Sequence, residues 1–258
     1  NGACPATAPR CVSATTAVVR GVRPAGDNAT LPGNFKPHAD WWALHAAAHR
    51  VVVAKPTPTL LKAAQSTVIL VESARDADIQ ATHVPTWVPH ARALGFDIAW
   101  VGDCAGCSYS LGRDVEAHAW LAVKTRAMLR DALTRFPRAR TFFKMDVDTL
   151  LIPENLAAHL AFRNTTVDDT PALEGFWVRH GSTWFVHGGA GYLVNRAALL
   201  AARAPEEFPA CPLTHPEEDL DLSTCLLSLA SPLPRTFVTG LDFRSLVWIV
   251  SRSSPTHV

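Results

Sequence analysis

The chain has 258 residues, 48% of them apolar, which is enough for one large domain with a real core. Its 24 basic residues nearly balance 23 acidic ones, and no run of Lys or Arg forms a footprint for nucleic acid or an anionic membrane. No apolar stretch approaches the roughly 18 residues that span a bilayer; the nearest, Trp41 to Ala54, is interrupted by His and Arg.

Residues 1–40 are rich in Gly, Pro, Ala and Thr and read as an N-terminal stem or arm, leaving 41–258 as the main domain. The chain begins at Asn1 without Met, so a signal or membrane anchor removed ahead of it is an open expectation. Two sequons, Asn28-Ala29-Thr30 and Asn164-Thr165-Thr166, point to the secretory route. The six cysteines fall into three close pairs, Cys4/Cys11, Cys104/Cys107 and Cys211/Cys225, which suits disulfides in an oxidising compartment. A redox role for the Cys104 CxxC is disfavoured, because no helix start follows it.

A helix is expected over 40–54. The β-branched runs Thr67 to Val71 and Asp97 to Val101 predict buried parallel strands, with a crossover helix in 76–94 broken by Pro85 and Pro89. From Val115 to Phe136 the positions Leu121, Thr125, Met128, Leu129, Ala132, Leu133 and Phe136 recur at helical spacing, and Pro137 closes the segment. Thr141 to Met145 predicts a strand running into Asp146. Further helices are expected at 154–162, 195–204 and 218–229, and strands near 173–178, 183–187 and 235–239. Such alternation predicts an α/β fold with a mostly parallel sheet and helices on both faces.

Three Asp-x-Asp triplets occur, at 76/78, 146/148 and 219/221. Only Asp146 and Asp148 end an apolar strand, where ligands of open α/β sheets bind. Alternate residues of an extended segment share a face, so both carboxylates can address one hard cation. His187 to Tyr192 holds three glycines in four residues and has neither Walker nor dinucleotide spacing, so it predicts close backbone approach, not a phosphate cradle. Glu217, Glu218, Asp219 and Asp221 crowd the first turn of an expected helix. Some such acids merely complement the helix dipole, but four exceed what a cap requires, and the cluster is the best source of a general base.

Taken together, these motifs resemble glycosyltransferase family 31, the fringe and core 1 β1,3-galactosyltransferase group. Lys144-Met145-Asp146-Val147-Asp148-Thr149 with Glu154-Asn155-Leu156 is similar to that family's Lys-Ala-Asp-Asp-Asp-Thr and Glu-Asn-Leu. Gly188 to Tyr192 resembles its Gly-Gly-Ala-Gly-Tyr turn. Glu218 to Asp221, with Cys225 four residues on, resembles its Glu-Asp-Val-Glu and following Cys. His83-Val84-Pro85-Thr86-Trp87 and Trp120 to Thr125 resemble upstream segments, so ordered matches cover about residues 65–230.

The resemblance implies a GT-A type, Rossmann-like fold, a UDP-sugar donor, Mn2+ and inversion to a β1,3 linkage on a glycan or glycoprotein acceptor. Galactose and N-acetylglucosamine are the sugar classes implied. It implies Asp146 and Asp148 as metal ligands with His257 as a third, and Asp219 as base with Glu218 as its rival. Lys124 at the diphosphate and Asp103 at the uracil or ribose are further candidates, with Gly189 and Gly191 beside the donor. For Lys124 a helix-surface position is the bland alternative, and Trp184 and Tyr192 are read as core aromatics before a sugar-stacking wall. Val147 departs from the family by replacing its middle acid, and the region after 230 matches little. The expected setting is the Golgi lumen, as the catalytic part of a type II membrane protein. An inactive GT-A-like protein that binds glycans or supports a partner is the alternative; phosphoester hydrolysis would need more His and Asp ligands than these motifs supply.

Overall fold

A computed structural model describes residues 56–75, 79–107, 121–147, 149–163, 171–202, 213, 215–229 and 247–249. All of them belong to the compact unit Gly33–Val258. The expected stem at 1–40, helix at 40–54 and strand at 235–239 lie outside the described residues, as do Asp76, Asp78, Asp148, His257 and both sequons.

Six α-helices and nine strands are described. In chain order they are α1 (Pro58–Gln65), β1 (Thr67–Arg75), α2 (Val88–Leu94), β2 (Asp97–Asp103), α3 (Leu121–Arg135), β3 (Thr141–Asp146), β4 (Thr149–Leu151) and α4 (Pro153–Arg163). There follow β5 (Leu173–Gly175), β6 (Trp177–His180), β7 (Thr183–Val186), β8 (Tyr192–Asn195), α5 (Arg196–Ala202), α6 (Glu218–Leu229) and β9 (Val247–Ile249). The central sheet runs β2-β1-β3-β8-β5. β1 pairs in parallel with β2 and β3, while β8 lies antiparallel to both β3 and β5, so one strand of five is reversed. This is a mixed α/β fold around a mostly parallel sheet. β6 and β7 form a hairpin, and β4 pairs with β9.

Pleating divides the strand residues between two cores. Val68, Leu70 and Phe142 face α3, α5 and α6, packing against Met128, Ala198 and Leu222. Ile69, Val71, Phe143 and Met145 face the other way, against Ala64, Val88 and Leu156 of α1, α2 and α4. Near-continuous apolar strands are what burial on both faces demands.

Local chemistry sets several boundaries. Within 76–94 the chain makes a π-helical turn, Ile79–His83, and then α2, whose first turn holds Pro89. Pro89 therefore starts a helix instead of breaking one, since its missing N–H would be unsatisfied there in any case. Four elements have no counterpart among the expected ones: the short strands β4 and β9, which pair with each other, and α1 and β8. α1 begins at the cap Thr57, whose hydroxyl accepts the Leu60 N–H at 3.3 Å, with Pro58 at its start. β8 is inserted where a turn was expected to lead straight into the helix at 195. Its last residue, Asn195, accepts from the Ala198 N–H and the Ala172 N–H, both at 2.9 Å, and so caps α5 while tying β8 to the approach of β5.

Candidate active site

At the carboxyl ends of β1 and β3 the sheet stops carrying only apolar side chains on its α3/α6 face. Glu72 stands opposite Asp146 in the register, and Lys144 stands opposite Tyr192. Residues 144 and 146 share a face by strand alternation. Three motifs far apart in sequence meet here.

Lys144 is the centre. Its side chain has no solvent exposure, and Nζ lies 2.5 Å from Asp146 Oδ1, 2.7 Å from Glu218 Oε1 and 3.0 Å from Glu72 Oε2. The first two contacts are hydrogen bonds; the third is an ion pair without hydrogen-bond geometry. Burial works against the charge on Lys144, but Asp146, Glu218 and Glu72 outweigh it and hold the ammonium well above its ordinary range. Glu72, also fully buried, accepts the Thr125 hydroxyl at 2.7 Å. Burial raises its carboxyl to about 7, with Lys144 pulling the other way and Glu218 and Asp146 adding to the rise.

The glycine turn locks the second and third motifs together. Gly188–Ala190 is a single 3-10 turn between β7 and β8. Its Gly188 N–H donates to Asp219 Oδ2 at 2.8 Å, while the Thr149 hydroxyl donates to the Gly189 carbonyl at 3.0 Å. A Cβ on residue 188 would overlap Glu218 Oε1 and stand 3.3 Å from Asp219 Cβ, so any other residue there would push the Glu218 carboxylate off its place. At Gly191 φ is +72°, and a Cβ would stand 2.8 Å from Phe143 Cζ and 2.9 Å from the Lys144 carbonyl.

Asp146 and Asp219 form the accessible part. The Asp146 side chain is 30% exposed. A Cβ at Gly189 would sit 3.2 Å from the His187 ring and 3.8 Å from Asp146 Oδ2, so the glycine turn lies directly beside that oxygen. Asp219 is half-buried and accepts the Leu220 N–H on Oδ1 at 2.7 Å. Asp221, the other acid of that triplet, is instead consumed by Arg126, whose Nη2 lies 2.6 Å from its Oδ2. A hard divalent cation, which the sequence resemblance implies, fits this donor set: carboxylate oxygens at a strand end, with the Asp146 side chain partly exposed.

Several expectations sharpen. Lys124 is 2% exposed, so the helix-surface reading is incorrect: it is buried on α3 beside Thr125. Asp103 ends β2 at the same edge of the sheet. Tyr192 is fully buried in the core and Trp184 packs against it, as the core reading held. The Tyr192 hydroxyl has no hydrogen-bond partner among the described residues, and burial holds it well above its ordinary range. His83 Nδ1 accepts from Trp87 Nε1 at 2.8 Å, which gives the His83-to-Trp87 segment a packing role. Cys104 and Cys107 are bonded to each other, Cα atoms 5.0 Å apart, immediately after β2. Cys225 is also disulfide-bonded.

Glu72 was missed. Its signal was a carboxylate directly after the apolar run Thr67 to Val71, an acid at the end of a buried strand. In comparisons with known proteins, no family model matches the chain and neither does any curated protein.

Proposed function

We propose that this chain is the catalytic domain of an inverting, GT-A type glycosyltransferase that moves a sugar from a UDP-sugar to a hydroxyl of a glycan or glycoprotein. The observation that carries the reading is the convergence of Asp146, the Gly188–Ala190 turn and Asp219 at the carboxyl end of the sheet, joined by the Thr149, Lys144 and Gly188 bonds. Those segments carry the resemblance to glycosyltransferase family 31, and their meeting at one point is what a shared active site requires.

In this reading Asp146 holds Mn2+ together with Asp148, and His257 is the candidate third ligand. The ion, when bound, neutralises charge growing on the departing diphosphate. Asp219 is the base: two backbone N–H groups fix its carboxylate, and each oxygen keeps a lone pair able to take the acceptor's proton. Glu218, its rival, is drawn into the buried layer by Lys144 and serves position. Gly189 and Gly191 keep the backbone low beside the donor, and Lys124 and Asp103 remain its candidate contacts. A β1,3 linkage, with galactose or N-acetylglucosamine as the sugar class, follows the resemblance, as does a secretory setting. Among the described residues no helix is long and apolar enough to cross a membrane.

A panel of UDP-sugars in Mn2+ and in EDTA tests the proposal. Mn2+-dependent transfer to an acceptor is the expected result. Absence of any UDP-sugar binding in Mn2+ sinks the reading, and binding without transfer favours a glycan-binding protein of the same fold.

A further inference from the structure

Glu72, Asp146 and Glu218 each offer an oxygen within 4.8 Å of the others, the arrangement by which proteins collect a cation. We infer that the resident cation of this triad is the Lys144 ammonium itself, which closes the triad to metal and holds Asp146 and Glu218 in place from beneath. Two of the ammonium's protons go to Asp146 Oδ1 at 2.5 Å and Glu218 Oε1 at 2.7 Å, and Glu72 Oε2 pairs with the same charge at 3.0 Å. The side chain has no exposure, so no water competes for those protons.

The donors of the triad are thereby committed inward. Glu72 Oε1 is taken by Thr125 and its Oε2 by Lys144. Asp146 alone reaches both sides: Oδ1 is bonded to the ammonium, while Oδ2 lies on the side of Gly189, where a divalent ion can approach. Lys144 is thus a positioning residue, and Glu72 is its counter-ion and not a metal ligand. The placement of a divalent ion at Asp146 rests on the glycosyltransferase reading; the role of Lys144 in the triad does not.

Two variants test this, with Mn2+ alone as probe. In calorimetric titration, Glu72→Gln should bind Mn2+ within about threefold of the wild type, because its oxygens face the ammonium; a larger loss would make Glu72 a ligand and overturn the inference. Lys144→Ala empties the triad's centre. It should melt below the wild type in EDTA, and Mn2+ at a hundredfold excess over the Kd of the emptied triad should raise its melting temperature by about 5 °C more than the same Mn2+ concentration raises that of the wild type. A Lys144→Ala protein that Mn2+ stabilises no more than the wild type overturns the proposal. If Lys144→Ala cannot be recovered folded, the Glu72→Gln titration decides alone. A wild type that binds no Mn2+ counts against the glycosyltransferase reading, and the Lys144→Ala melts then decide the role of Lys144.

Discussion

Asp219 and Glu218 are neighbours with divergent surroundings, and that divergence separates their chemistry. Asp219 is half-buried with its carboxylate aligned by the Gly188 and Leu220 N–H groups, whereas Glu218 is bonded to a buried ammonium. Asp219→Asn keeps the size of the side chain and removes the base. Transfer should fall by roughly 10²- to 10⁴-fold, the usual worth of a positioned base, while UDP binding measured by calorimetry stays near wild type. Retained turnover would return the role to Glu218. Glu72 makes a different prediction, about pH. Its carboxyl titrates near 7 in the folded chain against an ordinary value of 4.5, because burial favours the neutral form. Between those values the native state holds a proton that the unfolded chain has released. The contribution to stability is therefore fully present below pH 4.5 and is lost as pH rises through 7, by up to about 3 kcal/mol. Glu72→Gln imitates the protonated form at every pH. Melting in EDTA from pH 5 to 8 should show a flatter decline for the variant than for the wild type; parallel profiles would mean that Glu72 titrates normally.

The turn between β7 and β8 does at element scale what those side chains need: it lets α6 and the end of β3 approach each other through backbone. Gly191 bears the tightest constraint, with φ at +72° and both Phe143 and the Lys144 carbonyl within 3 Å of any added Cβ. Gly191→Ala should destabilise the domain by about 2–4 kcal/mol, combining left-handed backbone cost with overpacking. Gly181, at φ +59° with nothing within 4 Å of an added Cβ, is the control, expected to lose only about 1 kcal/mol. Urea midpoints at unchanged slope measure both, and equal losses would reduce the role of Gly191 to its backbone angle alone. The same segment marks where sequence reasoning stops. Periodicity resolves the body of α3 because Thr125, Met128, Leu129, Ala132 and Leu133 all face the core at helical spacing, and β1 and β2 because apolar runs of that length have few alternatives. β8 has four residues after a glycine, and nothing local distinguishes it from a turn; it exists because β3 and β5 both need a partner. α1 was legible in principle, through a Thr cap followed by Pro, but its apolar spacing is short. Asp146, Glu218 and Asp219 were visible from a strand end and a helix start, whereas Glu72 stood alone after its apolar run with no motif around it. The cation between them was not visible, since a lysine in a buried strand gives no sign of which carboxylates surround it.

The molecule as a whole places its polar machinery along one edge of a sheet whose two faces are otherwise closed by helices. Apolar packing of α3, α5 and α6 on one side, and of α1, α2 and α4 on the other, fixes the ends of β1 and β3 without relying on the charges they carry. The Cys104–Cys107 bridge secures the chain where it leaves β2 on that same edge. Such a scaffold should exist before any ligand arrives, so ligands should add stability and not create the fold. Under the proposed activity, UDP alone meets the Asp146 carboxylate as a like charge and should stabilise little, and Mn2+ alone should stabilise modestly. Together they neutralise one another, and linkage then predicts a gain of about 2.7 kcal/mol at a hundredfold excess over Kd, or about 5–10 °C in a domain of this size. Differential scanning calorimetry with Mn2+, UDP, both, and both with EDTA measures the coupling directly. A gain from UDP that survives EDTA would mean that nucleotide binds without the ion, and the assignment of Asp146 as the bridge between them would fail.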